Sequence, residues 1–352
     1  MFSRRNFLKS AAFLLSALPF TAYARKESKS ASAKILKPPA LREGDTIGLI
    51  TPASPLFEFH RTVIEATEKL KNLGYNVKLA RNIDKKWGYL AGSIQERVDD
   101  LHQMFNDDEV KAIMAIRGGY GSAQLLPYLD YELIARNPKI IIGYSDITAL
   151  LLGMHTATGL VTFHGPVAVS TFTDYTTRHM KRVFTTTAPP IQIEDAPYEA
   201  NLQTSNRIWT YRGGVTEGRL IGGNLTLFQS LLGTPFAATT QDAILFFEEI
   251  GEEPYDLDRM LTHLKMAGIF DQCKGVIFDR MPSVKPADYK PGFNSSLSVE
   301  EVIDMIFKDF DFPVCVGFSL GHIKDKPTMP LGIKARLDAD AGRLTLLEAA
   351  VV

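Results

Sequence analysis

Cysteine is scarce in this chain. Only Cys273 and Cys315 occur, far apart and in apolar surroundings, so two buried thiols are expected rather than a disulfide framework. Metal-binding spacings are missing too: there is no His-Glu-x-x-His, no Cys-x-x-Cys, and the 7 histidines are scattered. A structural or catalytic metal is therefore not expected. Charge of one sign is also lacking. The 39 Lys and Arg balance 40 Asp and Glu, a formal net charge of −1. A nucleic acid or an anionic membrane surface would need a basic face, which this composition does not supply. No apolar run approaches the ~20 residues of a membrane-spanning helix.

What is present begins at the N-terminus. Ser3-Arg4-Arg5-Asn6-Phe7-Leu8-Lys9 carries a twin arginine, an apolar run follows from about Ala11 to Phe20, and Ala22-Tyr23-Ala24 offers small residues for cleavage. The order basic, apolar, small is that of a secretory signal, and the twin arginine points to the route that exports folded proteins. An uncleaved anchor is the rival reading, against which the apolar run is short. Residues 1–24 are read as a signal peptide, and the expected destination is the periplasm, without stable membrane insertion after cleavage. The mature chain then carries a charge near −4. Residues 25–37 are polar and small and read as a flexible segment.

Apolar strands and helices alternate from 38 to 170. Strands are expected at Asp45–Thr51, Asn76–Ala80, Val110–Ile116 and Lys139–Gly143. Helices are expected at His60–Leu73, at Ser93–Phe105 with Ser93 and Glu96 as a capping box, and at Leu125–Ala135. This alternation implies a mostly parallel sheet covered on both faces. Residues 171–206, rich in Thr, Pro and charge, read as a connection. From 207 to 352 the segments are shorter and more strand-rich, with a loop at Lys285–Ser298 and a hairpin around Ala339-Asp340-Ala341-Gly342.

Three places could do chemistry. Ser145, in Gly143-Tyr144-Ser145-Asp146, stands on a strand-to-helix turn. Such a turn presents a hydroxyl above the sheet edge, with free helix N–H groups beneath it. A helix cap uses the same residues. Glu248 and Glu249 end the apolar run Ala243–Phe247, as an acid that orients a histidine would, or as a strand end that reaches solvent. His322 follows Gly317-Phe-Ser-Leu-Gly321 and suits a general base; His164, in Thr-Phe-His164-Gly-Pro166, is the rival base. A serine, an acid and a histidine are the set that activates a weak hydroxyl.

Several motifs resemble the LD-carboxypeptidase family of serine peptidases, which includes the microcin C self-immunity peptidases. They are Thr51-Pro-Ala-Ser-Pro55, Arg117-Gly-Gly-Tyr-Gly121, Gly143-Tyr-Ser-Asp-Ile-Thr148, His164-Gly-Pro166, Gly222-Gly-Asn-Leu225, Leu245-Phe-Phe-Glu-Glu249 with Pro254-Tyr-Asp-Leu-Asp-Arg259, and Gly321-His322 through Pro330-Leu-Gly332. They run in family order from about residue 35 to 350. The resemblance implies a two-domain α/β protein. An N-terminal Rossmann-like α/β sandwich with a parallel sheet would carry the serine, and a C-terminal β-rich, barrel-like α+β domain the acid and base. It implies Ser145 as nucleophile, Glu248 as triad acid and His322 as base. The oxyanion donors would be the backbone N–H groups of Asp146 and Gly119, with Gly118 as neighbour. Arg117, Tyr120, His164, Asn224 and Lys324 are candidates to line the substrate site. The implied reaction releases the terminal D-alanine from a peptidoglycan tetrapeptide without a cofactor. A stem peptide or muropeptide is the expected partner, and a homodimer fits the family. Two departures stand out: Glu249 follows Glu248 where many relatives have Asp, and the export signal differs from the cytoplasmic members. The rival functions are an immunity-type amidase acting on aminoacyl-nucleotide peptides and a periplasmic protein that binds muropeptides without cutting.

Overall fold

Buried strands dominate the first half of the chain. The computed structural model describes residues 34–194, 196 and 208–352. The expected signal over residues 1–24 lies outside them. Alternation produces β1 (Thr46–Ile50), α1 (Phe59–Asn72), β2 (Asn76–Leu79), α2 (Ile94–Asn106) and β3 (Val110–Ala115). The Ser93 capping box forms in both directions and starts α2 where the sequence indicates. Next come α3 (Tyr131–Arg136), β4 (Ile140–Gly143), α4 (Thr148–Thr158) and β5 (Phe163–His164). The helix expected over Leu125–Ala135 is instead a 3-10 turn, Ser122–Tyr128, followed by α3. Pro127 lies inside the turn, and Asp130 restarts the helix by accepting from Leu133 N at 2.8 Å.

Two expectations for the flanking segments need correction. Residues 34–37 were placed in the flexible stretch, yet Leu36 is paired with the body of the fold. Its N–H donates to Gly159 O at 2.9 Å and its carbonyl accepts from Val161 N at 2.8 Å, because Ile35 and Leu36 are apolar and pack on the core. The 171–206 connection contains α5 (Asp174–Thr185) and β6 (Ile191–Ile193). Thr173 caps α5, and Tyr175, Met180, Val183 and Phe184 lie buried on one side of it. Threonines and arginines between those positions conceal the helical period. Residues 195 and 197–206 of the connection lie outside the described residues.

The second half supplies β7 (Trp209–Arg212), β8 (Val215–Asn224), α6 (Leu225–Ser230), β9 (Ala243–Glu248), α7 (Pro254–Met266) and β10 (Gly275–Asp279). It ends with α8 (Val299–Phe307), β11 (Val314–Phe318), β12 (Met329–Pro330), β13 (Lys334–Asp338) and β14 (Arg343–Leu346). The first sheet has the order β12-β5-β4-β3-β1-β2, parallel except for β12. The second has the order β6-β14-β13-β8-β9-β10-β11-β7, with β8, β9, β10 and β11 parallel at its centre. This is the β-rich second half that the motifs imply; among the described residues its end strands, β6 and β7, do not pair with each other. β12 crosses back to pair with β5, and β6 crosses forward to pair with β14, so each half donates a strand to the other's sheet. Cys273 and Cys315 are buried and free, and burial pushes their thiols up to about 12 and about 11. Among the described residues no helix is long and apolar enough to cross a membrane.

Candidate active site

Parallel strands gather their carboxyl ends on one side of a sheet, and loops leaving those ends form crevices. Here the loops after β1, β3 and β4 carry Ser54, Gly118 with Gly119, and Ser145. The ends of β9, β10 and β11 carry Glu248, Asp279 and, four residues on, His322. Of these, Gly118, Gly119, Ser145 and His322 line one groove of about 620 Å³, together with Phe57, Arg117 and Tyr144 among others.

Ser145 leaves β4 with φ of +61°, a left-handed conformation that disfavours any side chain. It opens a 3-10 turn, Ser145–Ile147, that runs directly into α4. Ser145 stands inside this turn, whose cap position is held by Tyr144, and its Oγ makes no hydrogen bond among the described residues. The strain is held by buried neighbours. Gly143 has Ile147 against the place of a Cβ, at 2.7 Å, and Gly118 has Ser145 Cβ there at 3.1 Å. Asp146 is the tie. Its buried carboxylate accepts from Gly121 N at 3.2 Å and Ser122 N at 2.8 Å, and Ser122 Oγ donates to its carbonyl. Burial pushes its carboxyl up, and the Ser122 and Gly121 bonds pull it back. The Gly118–Gly121 loop is thereby fixed to the serine turn. Arg97, buried under that loop, donates to Pro52 O at 2.9 Å and Gly121 O at 3.0 Å.

The loop's other support is Ser54. Gly119 has φ of +122°, and a Cβ there would lie 2.3 Å from Ser54 Oγ. Ser54 Oγ also accepts from Tyr120 N at 3.1 Å. The Gly119 N–H has no acceptor among the described residues and borders the groove. The Thr51-Pro-Ala-Ser-Pro55 motif therefore buttresses the Gly-Gly loop.

Opposite, His322 Nδ1 lies 2.7 Å from Glu248 Oε2. The glutamate is fully buried, while the histidine side chain retains 19% of its exposure. This contact requires glycine at 321: a Cβ there would stand 2.1 Å from Glu248 Oε2. Burial works to lower the His322 pKa, but the Glu248 hydrogen bond and the charges of Glu248, Glu249 and Asp279 outweigh it. The net position is above the ordinary 6.5. The tautomer that donates from Nδ1 to the carboxylate leaves Nε2 to act as a base.

Two further buried groups share this floor and were not singled out from the sequence. Asp279 ends β10 as Glu248 ends β9; it accepts from Gly321 N at 3.0 Å, and burial together with the charge of Glu248 pushes it up to about 7. Its signal was available, an acid closing an apolar run. Lys326 is 3% exposed, with Nζ 5.2 Å from the centre of the Tyr144 ring. Burial lowers its pKa against the pull of Asp279, Glu248 and Asp325. The Tyr144 ring in turn stands edge-on to His322 at 4.9 Å.

Of the candidates for lining the site, Arg117 borders the groove and Tyr120 flanks it. The other three do not. His164 is fully buried, its Nε2 3.1 Å from Leu320 O, and burial lowers its pKa; it is a packing residue between the sheets, not a rival base. Asn224 is also buried. Its Oδ1 caps α6 through Leu227 N at 3.2 Å and its Nδ2 donates to Glu249 Oε1 at 3.0 Å. Glu249 is spent on this cap and on Thr226, which separates its role from that of Glu248. Lys324 points to solvent; the buried cation is Lys326. The Lys285–Ser298 loop docks on the start of α7, Gly292 N donating to Glu253 at 3.0 Å, and borders no part of the groove.

Known proteins resemble this chain in sequence and in fold. Residues 47–165 match the LD-carboxypeptidase N-terminal domain and residues 217–337 the LD-carboxypeptidase C-terminal domain. The probable murein peptide carboxypeptidase of Bacillus subtilis is 38% identical over 320 residues, 90% of this chain and 95% of its own length. The microcin C7 self-immunity protein MccF of Escherichia coli is 29% identical over 331 residues, 88% of this chain and 94% of its own. A solved MccF structure has a TM-score of 0.81 at 28% identity, covering 90% of this chain and 100% of that one. The muramoyltetrapeptide carboxypeptidase of Oxalobacter formigenes has a TM-score of 0.72 at 29% identity, covering 86% and 97%. With both domain models matched in order and a relative of this identity along nearly its whole length, this chain belongs to the LD-carboxypeptidase family of peptidases.

Proposed function

We propose that this protein is an exported serine LD-carboxypeptidase that removes the terminal D-alanine from a murein tetrapeptide. The observation that carries the reading is the pairing of an unbonded, strained Ser145 with the Glu248–His322 couple across one groove. His322, held by Glu248, takes the proton from Ser145 Oγ, and Oγ attacks the carbonyl of the third stem residue. The N–H groups of Asp146 and Gly119 receive the oxyanion; the first lies in the opening turn of a helical segment, where N–H groups have no intrahelical acceptor. His322 then protonates the departing D-alanine amine, and water, deprotonated by His322, resolves the acyl-enzyme. No metal takes part in these steps. The twin arginine and apolar run at the start of the sequence support the periplasm as the place of this reaction, where stem peptides lie on or near the wall.

A carboxypeptidase must read a terminal carboxylate. Arg117 is the fixed cation among the described residues lining the groove, and no acid pairs with it. It lies over the Phe57 ring at 5.3 Å. Arg117→Met is expected to raise KM for the tetrapeptide about tenfold or more, with a smaller change in kcat, as steady-state kinetics would show. An unchanged KM would remove Arg117 from recognition. The pH dependence follows from His322. Its raised pKa keeps the imidazole protonated, and so unable to accept a proton, to a higher pH than usual. Initial rates between about pH 5 and 9 should therefore show kcat/KM climbing tenfold per unit on the acid side, with the plateau reached only on the alkaline side of neutrality.

The test of the reaction itself is incubation with a tetrapeptide ending in L-centre–D-alanine, read by mass spectrometry. Loss of one D-alanine, absent in Ser145→Ala, supports the reading. An intact tetrapeptide with folded protein, alongside cleavage of an aminoacyl-nucleotide amide, would replace it with the immunity-type activity.

A further inference from the structure

His322 stands on a loop, four residues past the end of β11. Among the described residues its ring makes one hydrogen bond, Nδ1 to Glu248. Proton transfer with Ser145 needs that ring held to a fraction of an ångström. The backbone that bears it must therefore be fixed from elsewhere.

The end of β10 fixes it. Phe278 of β10 lies opposite Val316 of β11, but Asp279 lies opposite Phe318. The skipped residue is Gly317, at φ of +101°, and the bulge lays the following residues over Asp279 and Arg280. Arg280 N donates to Phe318 O at 3.2 Å, its Nε to Gly317 O at 3.4 Å and its Nη2 to Ser319 Oγ. His164 Nε2 lies 3.1 Å from Leu320 O. Asp279 Oδ2 accepts from Gly321 N at 3.0 Å, and Ile323 N donates to Gly321 O at 2.9 Å, closing a tight turn around His322. Each residue from 317 to 322 is thus tied, and the tie next to His322 is Asp279.

A carboxylate is a costly way to make this tie. Asp279 is fully buried, and burial with the charge of Glu248 opposes its ionisation. Both of its oxygens are nevertheless used as acceptors, Oδ1 by Arg280 N and Oδ2 by Gly321 N. The ionised group accepts at both; an asparagine offers an oxygen to only one. The charge also acts on the base, since Asp279 joins Glu248 and Glu249 in raising His322. The charged and titratable groups that face this corner are Glu248 and Glu249 at the end of β9, Arg280 beside Asp279, Lys326 beyond His322, and Tyr144 and His164 at the ends of β4 and β5. Of these, Asp279 is bonded to the residue directly before His322. A charge that opposes folding, kept one residue from the base, points to function rather than packing.

We propose that Asp279 is a positioning residue for the base: through Gly321 it holds the His322 loop where Nδ1 meets Glu248 and Nε2 is left for Ser145. The inference rests on the serine-peptidase reading of the groove. Asp279 does not touch the substrate; it acts through His322.

The experiment compares the full chain with its Asp279→Ala and Asp279→Asn variants, by tetrapeptide kinetics across pH and by proton NMR of His322, assigned by its loss in His322→Gln. Asp279→Ala is expected to lower the plateau kcat about 10²-fold, with KM changed less than about threefold, and to lose the low-field Nδ1 proton signal of the bond to Glu248. Asp279→Asn, which can still accept from Gly321 N, should recover most of that kcat and keep the signal. In both variants the acid limb of kcat/KM should move to lower pH, because a charge that raises His322 is gone. An Asp279→Ala variant with wild-type kcat and Nδ1 signal would overturn the proposal. So would two variants that only melt lower, with kcat and the acid limb unmoved. If Asp279→Ala does not fold, Asp279→Asn decides: a lowered His322 titration supports the proposal and an unmoved one overturns it. If wild type cuts no tetrapeptide, the reaction assigned to the groove is wrong, and positioning is read from NMR alone. A lowered His322 titration in Asp279→Asn and a lost Nδ1 signal in Asp279→Ala then support it; spectra like wild type overturn it.

Discussion

Replacing Ser145 by alanine is expected to lower kcat on a murein tetrapeptide by about 10⁴-fold or more, the loss that follows removal of a triad nucleophile. Thermal stability distinguishes this role from that of a helix cap. A capping serine changed to alanine costs about 1 kcal/mol, and changed to glycine only a few tenths. Ser145 is not the cap of its turn, a position held by Tyr144, and it sits at φ of +61°. Glycine adopts that conformation without the clash, so Ser145→Gly should be more stable than wild type by about 1 kcal/mol, and Ser145→Ala close to wild type. Calorimetry on both variants, set beside their activities, checks this. Destabilisation by both changes, with activity retained, would make Ser145 a structural residue and leave the groove without a nucleophile.

The second large effect is expected at Glu248. Glu248→Gln keeps the shape of the side chain and removes the charge that holds and stabilises the His322 imidazolium. A loss of about 10³-fold or more in kcat/KM is expected. The direction of the pH shift is fixed by the same contact. The Glu248 hydrogen bond and charge are what raise His322 against burial, so without them its pKa falls and the acid limb of the rate profile moves to lower pH. Stability should not fall in parallel. Glu248 lies fully buried beside Glu249 and Asp279, and its charge contributes to pushing Asp279 up to about 7. Removing one of these like charges relieves repulsion, so the melting temperature near pH 8 is expected to equal or exceed that of wild type. An inactive variant that also melts far lower would assign the glutamate to the fold rather than to the histidine.

The floor beneath the couple explains why such a cluster persists. Three carboxylates are buried within two neighbouring strand ends. Each is committed differently: Glu249 to Asn224 and Thr226, Asp279 to Gly321 N, and Glu248 to His322. Buried Lys326, over the Tyr144 ring, is a cation within reach of their charge. An arrangement that opposes folding locally and serves proton transfer is typical of active sites.

Much of this was legible along the chain. The apolar runs and turn residues located β1, β3, β4 and β9 to within a residue or two, because strands buried on both faces tolerate little else. The Ser93–Glu96 box located α2, since it is a local hydrogen-bond pattern. Ser145, Glu248 and His322 each stood out as a polar residue closing an apolar segment, a signal of position rather than of role. Local pattern fails where burial comes from distant partners. α5 hides its apolar side among threonines and arginines, and Pro127 replaces an expected helix by a 3-10 turn and α3. β12 is 2 residues long and exists only because β5 lies beside it.

The sequence by itself determined the alternation of strands and helices that carries Ser145, the residue types at the strand ends and the family resemblance, since these follow from side-chain periodicity, backbone preference and motif order. Tertiary structure alone decided which polar residues are used together. Glu248 rather than Glu249 meets His322 because β9 ends with one carboxylate directed to the histidine and the next directed to the α6 cap. Lys326 rather than Lys324 is buried, and His164 is withdrawn into the core. Those choices depend on the direction in which each side chain leaves a strand or loop and on what packs against it from the other sheet, information that no short stretch of chain contains.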